Sequence, residues 1–443
     1  MTSPTGPTDT QEISLEPLHL IERSDAVLRL GAMMLACGTG SVRVKEAMQR
    51  VATAIGLDRI HAQITLTEII ATTARGQIFR TQVIAIPTSG VNSRMLSDLE
   101  AYTHQIQPGT TAQQVEDALD EIHDRHRRHP AWLTIAAASW ACLAFAFLNN
   151  GGWQECLAVA LAVAAGQAVR HALNLARFNP LGVAMIASAV SCLGYLGVAW
   201  AFAQLGGMSS LHDAGYTSAI LFLVPGFPLM TAALDLARLD ILSGLARLTY
   251  ALLILLSAAL SAWAIAWAFN LTPTAAGLPD ISPALLVVGW MIAGFLGVLG
   301  FAIMFNSPWK MAAIAATIGG IANTFRLIAV NSGVVPQLSA MAATFLVGML
   351  ATVAVRCFVY PRITLSVPAV LIMIPGAAAY RTIVYLNQGQ SIDALDSGIE
   401  VFFVIVSLAV GLAAARILSD REWRIPGHTH TSRHTRQNAS ADV

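Results

Sequence analysis

Two Pro-Gly pairs carry the first chemistry in this sequence. Pro225-Gly226 and Pro375-Gly376 each interrupt a strongly apolar stretch, and Phe227-Pro228 extends the first interruption. Proline removes a backbone donor and clashes with the preceding turn, while glycine tolerates the opened backbone. In hydrocarbon an opened backbone persists only against protein or a water-lined cavity. A packing kink would account for a single break. Its recurrence within two similar segments, LFLVPGFP (Leu221 to Pro228) and LIMIPGAA (Leu371 to Ala378), points to function instead. The helix that starts after each break presents a positive N-terminus, which suits a carboxylate or another anion.

Polar groups inside apolar runs are costly and are therefore candidates for function. Gln167 and Arg170 have counterparts in Asn323 and Arg326, and Arg381 follows Pro375 with Tyr380 beside it. Glu400 is the expected ion partner of Arg326 or Arg381 and a candidate proton carrier. Asp235 and Arg238, spaced i and i+3, are expected to pair on one helix face, with Asp240 and Arg247 following; this cluster reads as a latch or a gate. The expected substrate site is therefore Pro225, Gly226, Phe227, Pro228, Asn323, Arg326, Pro375, Gly376, Tyr380 and Arg381. The expected coupling or gating groups are Asp235, Arg238, Arg247 and Glu400.

Other signals are weaker. Gly38-Thr39-Gly40 lacks the third glycine and the preceding strand of a dinucleotide fingerprint. His123, His126 and His129 read as part of a basic collar rather than a metal site, and the five cysteines include no CxxC pair. No cofactor, metal or nucleotide-driven pump is expected.

The elements that must position these groups follow from composition. Of 443 residues, 55% are hydrophobic and 12% charged, with mean hydropathy +0.61. Soluble domains carry about 25% charged residues, so the sequence reads as a mainly α polytopic membrane protein. Net charge is zero, which argues against a nucleic-acid partner. Residues 1–23 are expected to be a disordered tail, and 24–130 a small cytoplasmic α/β domain whose first helix is capped by Ser24. In that domain Ile60 to Thr73 and Ile78 to Ile86 are expected strands flanking a hairpin at Arg75-Gly76. Residues 131–270 and 284–418 would form two membrane repeats, and 419–443 a disordered cytoplasmic tail.

Ten apolar runs follow Pro130, each about the 20 residues of a bilayer crossing. Loops 149–155, 204–216, 270–283, 330–337 and 386–396 contain no Lys or Arg, which places both termini in the cytoplasm of a cell whose inner membrane the chain spans. Trp153 and Trp309, Asn150 and Asn306, Arg170 and Arg326, and Pro180 and Pro336 all share one spacing, 309 − 153 = 156. Five helices per half is an odd number, so the expected architecture is a 5+5 inverted repeat.

A family resemblance adds to this reading. GAMMLACGTGSVRVKEAMQRVATAIGL (Gly31 to Leu57) resembles the opening of the threonine/serine exporter family. VPGFPLMTAALDLARLDILSGLARLTYA (Val224 to Ala251) resembles that family's most recognisable membrane segment and contains Pro225 to Pro228, Asp235, Arg238 and Arg247. FNSPWK (Phe305 to Lys310) and MIPGAAAYR (Met373 to Arg381) are similar to its second membrane domain, which some relatives carry on a separate chain. The resemblance implies a cytoplasmic domain, ten transmembrane helices, and efflux of small amino acids driven by the proton-motive force. Split relatives are associated with succinate export, so a dicarboxylate is the alternative cargo. A membrane-anchored hydrolase or sensor is the reading from another class, opposed by the lack of a nucleophile–base pair in residues 24–130. The expected partners are a small carboxylate-bearing substrate, protons and the lipid bilayer, and an oligomer is compatible with all of this.

Overall fold

The computed structural model describes residues 16–86, 90–125, 128–205, 213–271, 282–358, 360–420 and 423. The chain opens on an N-terminal α/β domain. It comprises α1 (Glu16–Ala36), α2 (Ser41–Ala54), strands β1 (Arg59–Ile64), β2 (Glu68–Arg75) and β3 (Ile78–Ala85), α3 (Ser93–Gln105) and α4 (Ala112–Arg125). Leu30 and Met34, at helical spacing on α1, are buried with Met48 of α2, Ile69 of β2 and Leu96 of α3. The three strands form one antiparallel sheet in the order β1-β2-β3. Gly76, at φ 58°, makes the expected turn between β2 and β3. The run from Ile60 to Thr73 is not one strand: it folds back at Thr65, whose N–H donates to the Glu68 carbonyl at 2.9 Å. Ser24 caps nothing either. It lies inside α1, its hydroxyl bonded to the Leu20 carbonyl and 2.5 Å from the Thr73 hydroxyl.

The rest is helical. The first half contains α5 (Ala131–Leu148), α6 (Trp153–Leu175), α7 (Pro180–Gln204), the short α8 (Asp213–Ser218) with a 3-10 turn at Leu221–Leu223, α9 (Gly226–Ala237) and α10 (Ile241–Ala268). The second contains α11 (Pro283–Met304), α12 (Trp309–Asn331), α13 (Pro336–Cys357), α14 (Arg362–Leu371), α15 (Gly376–Asn387) and α16 (Ser391–Ser419). Among the described residues eight of these helices are long and apolar enough to cross a membrane. A ninth candidate is the pair ending in α9, bent by 72° at Pro225. The chain is a multi-span membrane protein. The fourth and ninth expected runs are each divided at the Pro-Gly pair, into α8 and α9 around Pro225 and into α14 and α15 around Pro375.

Backbone conformation recurs between the halves at the same spacing as the residues. Asn150 (φ 66°) and Asn306 (φ 57°), 306 − 150 = 156 apart, both turn left-handed after their helices. Arg177 (φ 54°) and Gly333 (φ 90°) do so at the same interval, and Leu239 (φ 61°) and Gly389 (φ 73°) at 389 − 239 = 150. These are the left-handed residues that end helices, satisfying carbonyls the helix leaves open.

The N-terminal domain packs on one end of the membrane helices. Asn92 accepts from Asn306 Nδ2 at 2.8 Å, the His129 N–H donates to Asn306 Oδ1 at 2.9 Å, and the Ser93 N–H donates to the Phe305 carbonyl at 2.9 Å. Ser243 at the start of α10 donates to the Ile64 carbonyl. The α9–α10 and α11–α12 junctions thus share the face that holds this domain. Asn150, by contrast, terminates α5, an 18-residue helix that leaves the domain at Ala131 and runs about 27 Å.

Leu239 is 73% exposed and adopts a conformation that suits glycine, the residue found at the equivalent position 389. Left-handed backbone costs an L-residue about 1–2 kcal/mol. Leu239→Gly should therefore raise the unfolding midpoint of the detergent-solubilised protein, and Gly389→Leu should lower it.

Candidate functional site

Both Pro-Gly breaks have one geometry. Pro225 sits at φ −80°, ψ 65° and Pro375 at φ −79°, ψ 66°. In each, the glycine N–H turns back to the carbonyl two residues earlier: Gly226 to Val224 at 2.8 Å, Gly376 to Ile374 at 2.9 Å. These are inverse γ-turns centred on proline. The N–H groups of the turn that follows open a new helix in each case.

The two breaks pack into one another's first limbs. A Cβ on Gly226 would fall 1.9 Å from Leu371 Cδ2 at the end of α14, and one on Gly376 would meet Thr217 Cγ2 of α8 at 3.1 Å. Phe227 is fully buried, edge-on to Phe305 with ring centroids 5.0 Å apart. Tyr380 on α15 packs at a tilt against Tyr216 on α8, ring centroids 5.1 Å apart, and Tyr216 meets Tyr195 edge-on at 6.2 Å. Of the expected substrate residues, Gly226, Phe227, Gly376 and Tyr380 therefore share one interior, with Pro225, Pro228 and Pro375 half-buried at its edges.

The polar groups around α6 and α12 divide differently. Arg170 donates to the Phe222 carbonyl at 2.9 Å, closing a backbone acceptor just ahead of the first break. Arg326 is held by its own helix, its Nε donating to Asn323 Oδ1 at 3.0 Å. Asn323 is fully buried, and among the described residues neither its amide nitrogen nor the side-chain carbonyl oxygen of Gln167 has a hydrogen-bond partner. Among the described residues Arg326 is bonded to Asn323 rather than to Glu400, which lies half-buried on α16.

The charge cluster expected to act as a gate is built across domains. Asp235 does not pair with Arg238 three residues on. Asp235 lies 3.3 Å from Arg247 Nε, both nearly inaccessible, and accepts the Ser41 N–H at the start of α2 at 3.3 Å. Arg238 reaches Glu46 on α2 at 3.0 Å and covers the Trp423 ring at 5.2 Å. Asp240 takes the Ser41 hydroxyl at 2.9 Å and Lys45 Nζ at 2.5 Å. Asp235 thus places a carboxylate on the N-terminus of α2, where the helix dipole favours it. Partial burial alone would raise the Asp240 carboxyl, yet Lys45 and Ser41 outweigh it and hold Asp240 below the usual carboxylate range.

Sequence reasoning missed two groups. Ser41 and Lys45 sit in a stretch set aside once the Gly38-Thr39-Gly40 fingerprint failed, although Ser after Gly is itself a helix-start signal. Glu155 is buried inside α6, 3.5 Å from the Tyr195 hydroxyl, and accepts from the Gly152 N–H; an acid three residues inside an apolar helix was its signal.

Two outcomes follow from these contacts. Gly226→Ala forces a shift at buried Leu371 and should cost about 1–3 kcal/mol, seen as a lower unfolding midpoint, whereas Gly376→Ala should be milder because its nearest atom is 3.1 Å away. Because the folded-state Asp240 carboxyl is depressed, its contribution is complete above about pH 4 and is lost as pH falls through its lower folded value. Lys45→Ala should flatten that acid-side loss when thermal unfolding is followed between about pH 3 and about pH 6.

Comparison with known proteins gives this arrangement a family. Residues 25–270 match the family model described as "Putative threonine/serine exporter", and residues 290–418 match "Threonine/Serine exporter, ThrE". A "Probable threonine/serine exporter" of Mycobacterium tuberculosis is 24% identical over 92% of this chain and 77% of its own length. The "Threonine/serine exporter" of Corynebacterium glutamicum is 24% identical over 93% of this chain and 86% of its own. A "Probable succinate transporter subunit YjjP" of Escherichia coli is 27% identical over 53% of this chain and 92% of its own length. No solved structure matches. With the first family model alone spanning more than half of the sequence, the chain belongs to the threonine/serine exporter family, a family of transporters.

Proposed function

We propose that this chain is a secondary active exporter of threonine or serine in the inner membrane, with the paired Pro-Gly breaks as its substrate site. The observation that carries this reading is the mutual packing of the two breaks, Gly226 on Leu371 and Gly376 on Thr217, with identical backbone angles at the two prolines. Two helix N-termini, α9 and α15, begin at this interior and supply positive partial charge for a substrate carboxylate. Arg326, Arg381 and the unpartnered Asn323 amide supply further donors, and Tyr380 an aromatic wall.

The architecture in this reading is ten crossings in two inverted halves, with the N-terminal domain and both termini in the cytoplasm. Its support is the recurrence of left-handed turns at intervals of 156 and 150, together with the opposite placement of Asn150 and Asn306 relative to the N-terminal domain. The Lys/Arg-free loops support the orientation. Alternating access then amounts to rocking one half against the other about the breaks. Asp235 and Arg247, already neutralised against each other beside Ser41, act with Arg238 as the gate on the side of the N-terminal domain, and Glu400 as the proton carrier.

The second reading is export of a dicarboxylate, favoured by the printed name of the Escherichia coli relative. Labelled threonine released from dipeptide-loaded cells, with and without an uncoupler, decides the matter. Efflux that requires the protein and collapses with uncoupler is expected; efflux indifferent to both would overturn the exporter reading, and succinate efflux alone would select the second cargo. In proteoliposomes Arg326→Ala, Arg381→Ala and Glu400→Ala should each lower threonine flux at least about tenfold, the equivalent of about 1.4 kcal/mol. Unchanged flux in all three would remove them from the site.

A further inference from the structure

Between the N-terminal domain and the membrane helices lies a cavity of about 510 Å³, walled by α2 and α3 on one side and by the ends of α9, α14 and α16 on the other. That volume falls within the range of small-molecule sites, about 300–1,000 Å³. Most charges on its walls are matched. Arg43 pairs with Glu100 Oε1 at 2.5 Å, Arg238 with Glu46 at 3.0 Å, and Arg362 with Asp420 at 3.7 Å.

Arg416 and Glu100, on facing walls, are not fully matched. Arg416, near the end of α16, is 7% exposed, and among the described residues its guanidinium makes no hydrogen bond or ion pair, its carbonyl alone accepting the Asp420 N–H. Its charged neighbours are Arg43 and Arg362, then Asp420 and Glu100. Glu100 uses one carboxylate oxygen on Arg43, while the other, Oε2, is buried without a hydrogen-bond partner. A buried guanidinium without a hydrogen-bonded acceptor is costly, and so is a buried carboxylate oxygen without a donor. Both costs fall when one ligand meets both atoms. The guanidinium fork fits a carboxylate with two parallel hydrogen bonds, and an ammonium offers three donors to a carboxylate oxygen.

We propose that this cavity binds a free α-amino acid, its carboxylate on Arg416 and its ammonium on Glu100. The proposal rests on the amino-acid reading of the cargo and adds a second, earlier binding place, outside the paired breaks and on the side of the N-terminal domain. A dicarboxylate fits worse, because its second carboxylate would face Glu100. Inorganic phosphate satisfies Arg416 and leaves Glu100 bare. Because the cavity lies beside the Asp235–Arg247 pair and the Arg238–Glu46 bridge, an occupant here adjoins the contacts that hold α2 against α9.

Trp423 lines the cavity and gives a local readout. In the purified full-length protein, the part of the tryptophan fluorescence response that Trp423→Phe removes should titrate and saturate with L-threonine. N-acetyl-L-threonine, which lacks the ammonium, and L-threonine methyl ester, which lacks the carboxylate, should each bind at least about tenfold more weakly, and succinate and inorganic phosphate should not compete. Glu100→Gln should weaken threonine at least about tenfold while leaving N-acetyl-threonine unchanged, and Arg416→Lys should bind more weakly than wild type and more tightly than Arg416→Gln. Gel filtration verifies that each variant is folded, and the ligand series on the unaltered protein stands even where a variant fails. No Trp423 response to threonine, equal binding of the blocked analogues, or competition by succinate or phosphate would overturn the proposal. Threonine export without a cavity response defeats this site and leaves the exporter reading standing; a saturable, zwitterion-selective response in protein that exports nothing does the reverse.

Discussion

Everything in the membrane portion answers to two prolines that open a helix where no water can repair it. Pro225 and Pro375 each leave carbonyls and N–H groups outside the helical ladder, in surroundings that are otherwise apolar. Such groups must be covered by protein. The fold does this by interleaving: α8 lies against α15 and α14 against α9, so each opened turn is roofed by the limb that precedes the other. Arg170 completes the cover at Phe222 by spending a guanidinium N–H on a carbonyl. A kink needed only for packing would require neither the second break nor the matching dihedral angles.

A second constraint binds the N-terminal domain to this core. Its contacts are polar and buried or half-buried: Ser41 on Asp235, Lys45 on Asp240, Glu46 on Arg238, Asn92 on Asn306. Removing one member of a buried charge pair leaves the other uncompensated, so Asp235 and Arg247 stabilise the junction only as a set with the first turn of α2. The domain is therefore more than an appendage, since one of its helices supplies a ligand to the charge cluster that sequence alone assigned wholly to α9 and α10.

Much of this was legible in the sequence because the relevant signals are local. Proline and glycine write helix breaks directly, and the 156-residue spacing of Asn150 and Asn306 coincides with a left-handed turn at each. What failed was pairing over long separations. Arg238 looks toward Asp235 on a helical wheel, yet finds Glu46 from a segment 192 residues away. Ser24 looked like a cap because Ser often is one; hydrophobic packing of α1 extended that helix back to Glu16 and turned the hydroxyl toward Thr73. Spacing reports which residues share a face, whereas partners across domains depend on a docking geometry that no single stretch encodes.

The N-terminal domain grips both halves of the membrane portion, the first through Asp235, Arg238, Asp240 and Ser243, the second through Phe305 and Asn306. It thus works as a staple across the seam. Cutting the connection between α10 and α11 would yield two polypeptides that remain riveted together at one end, without any need for the peptide link.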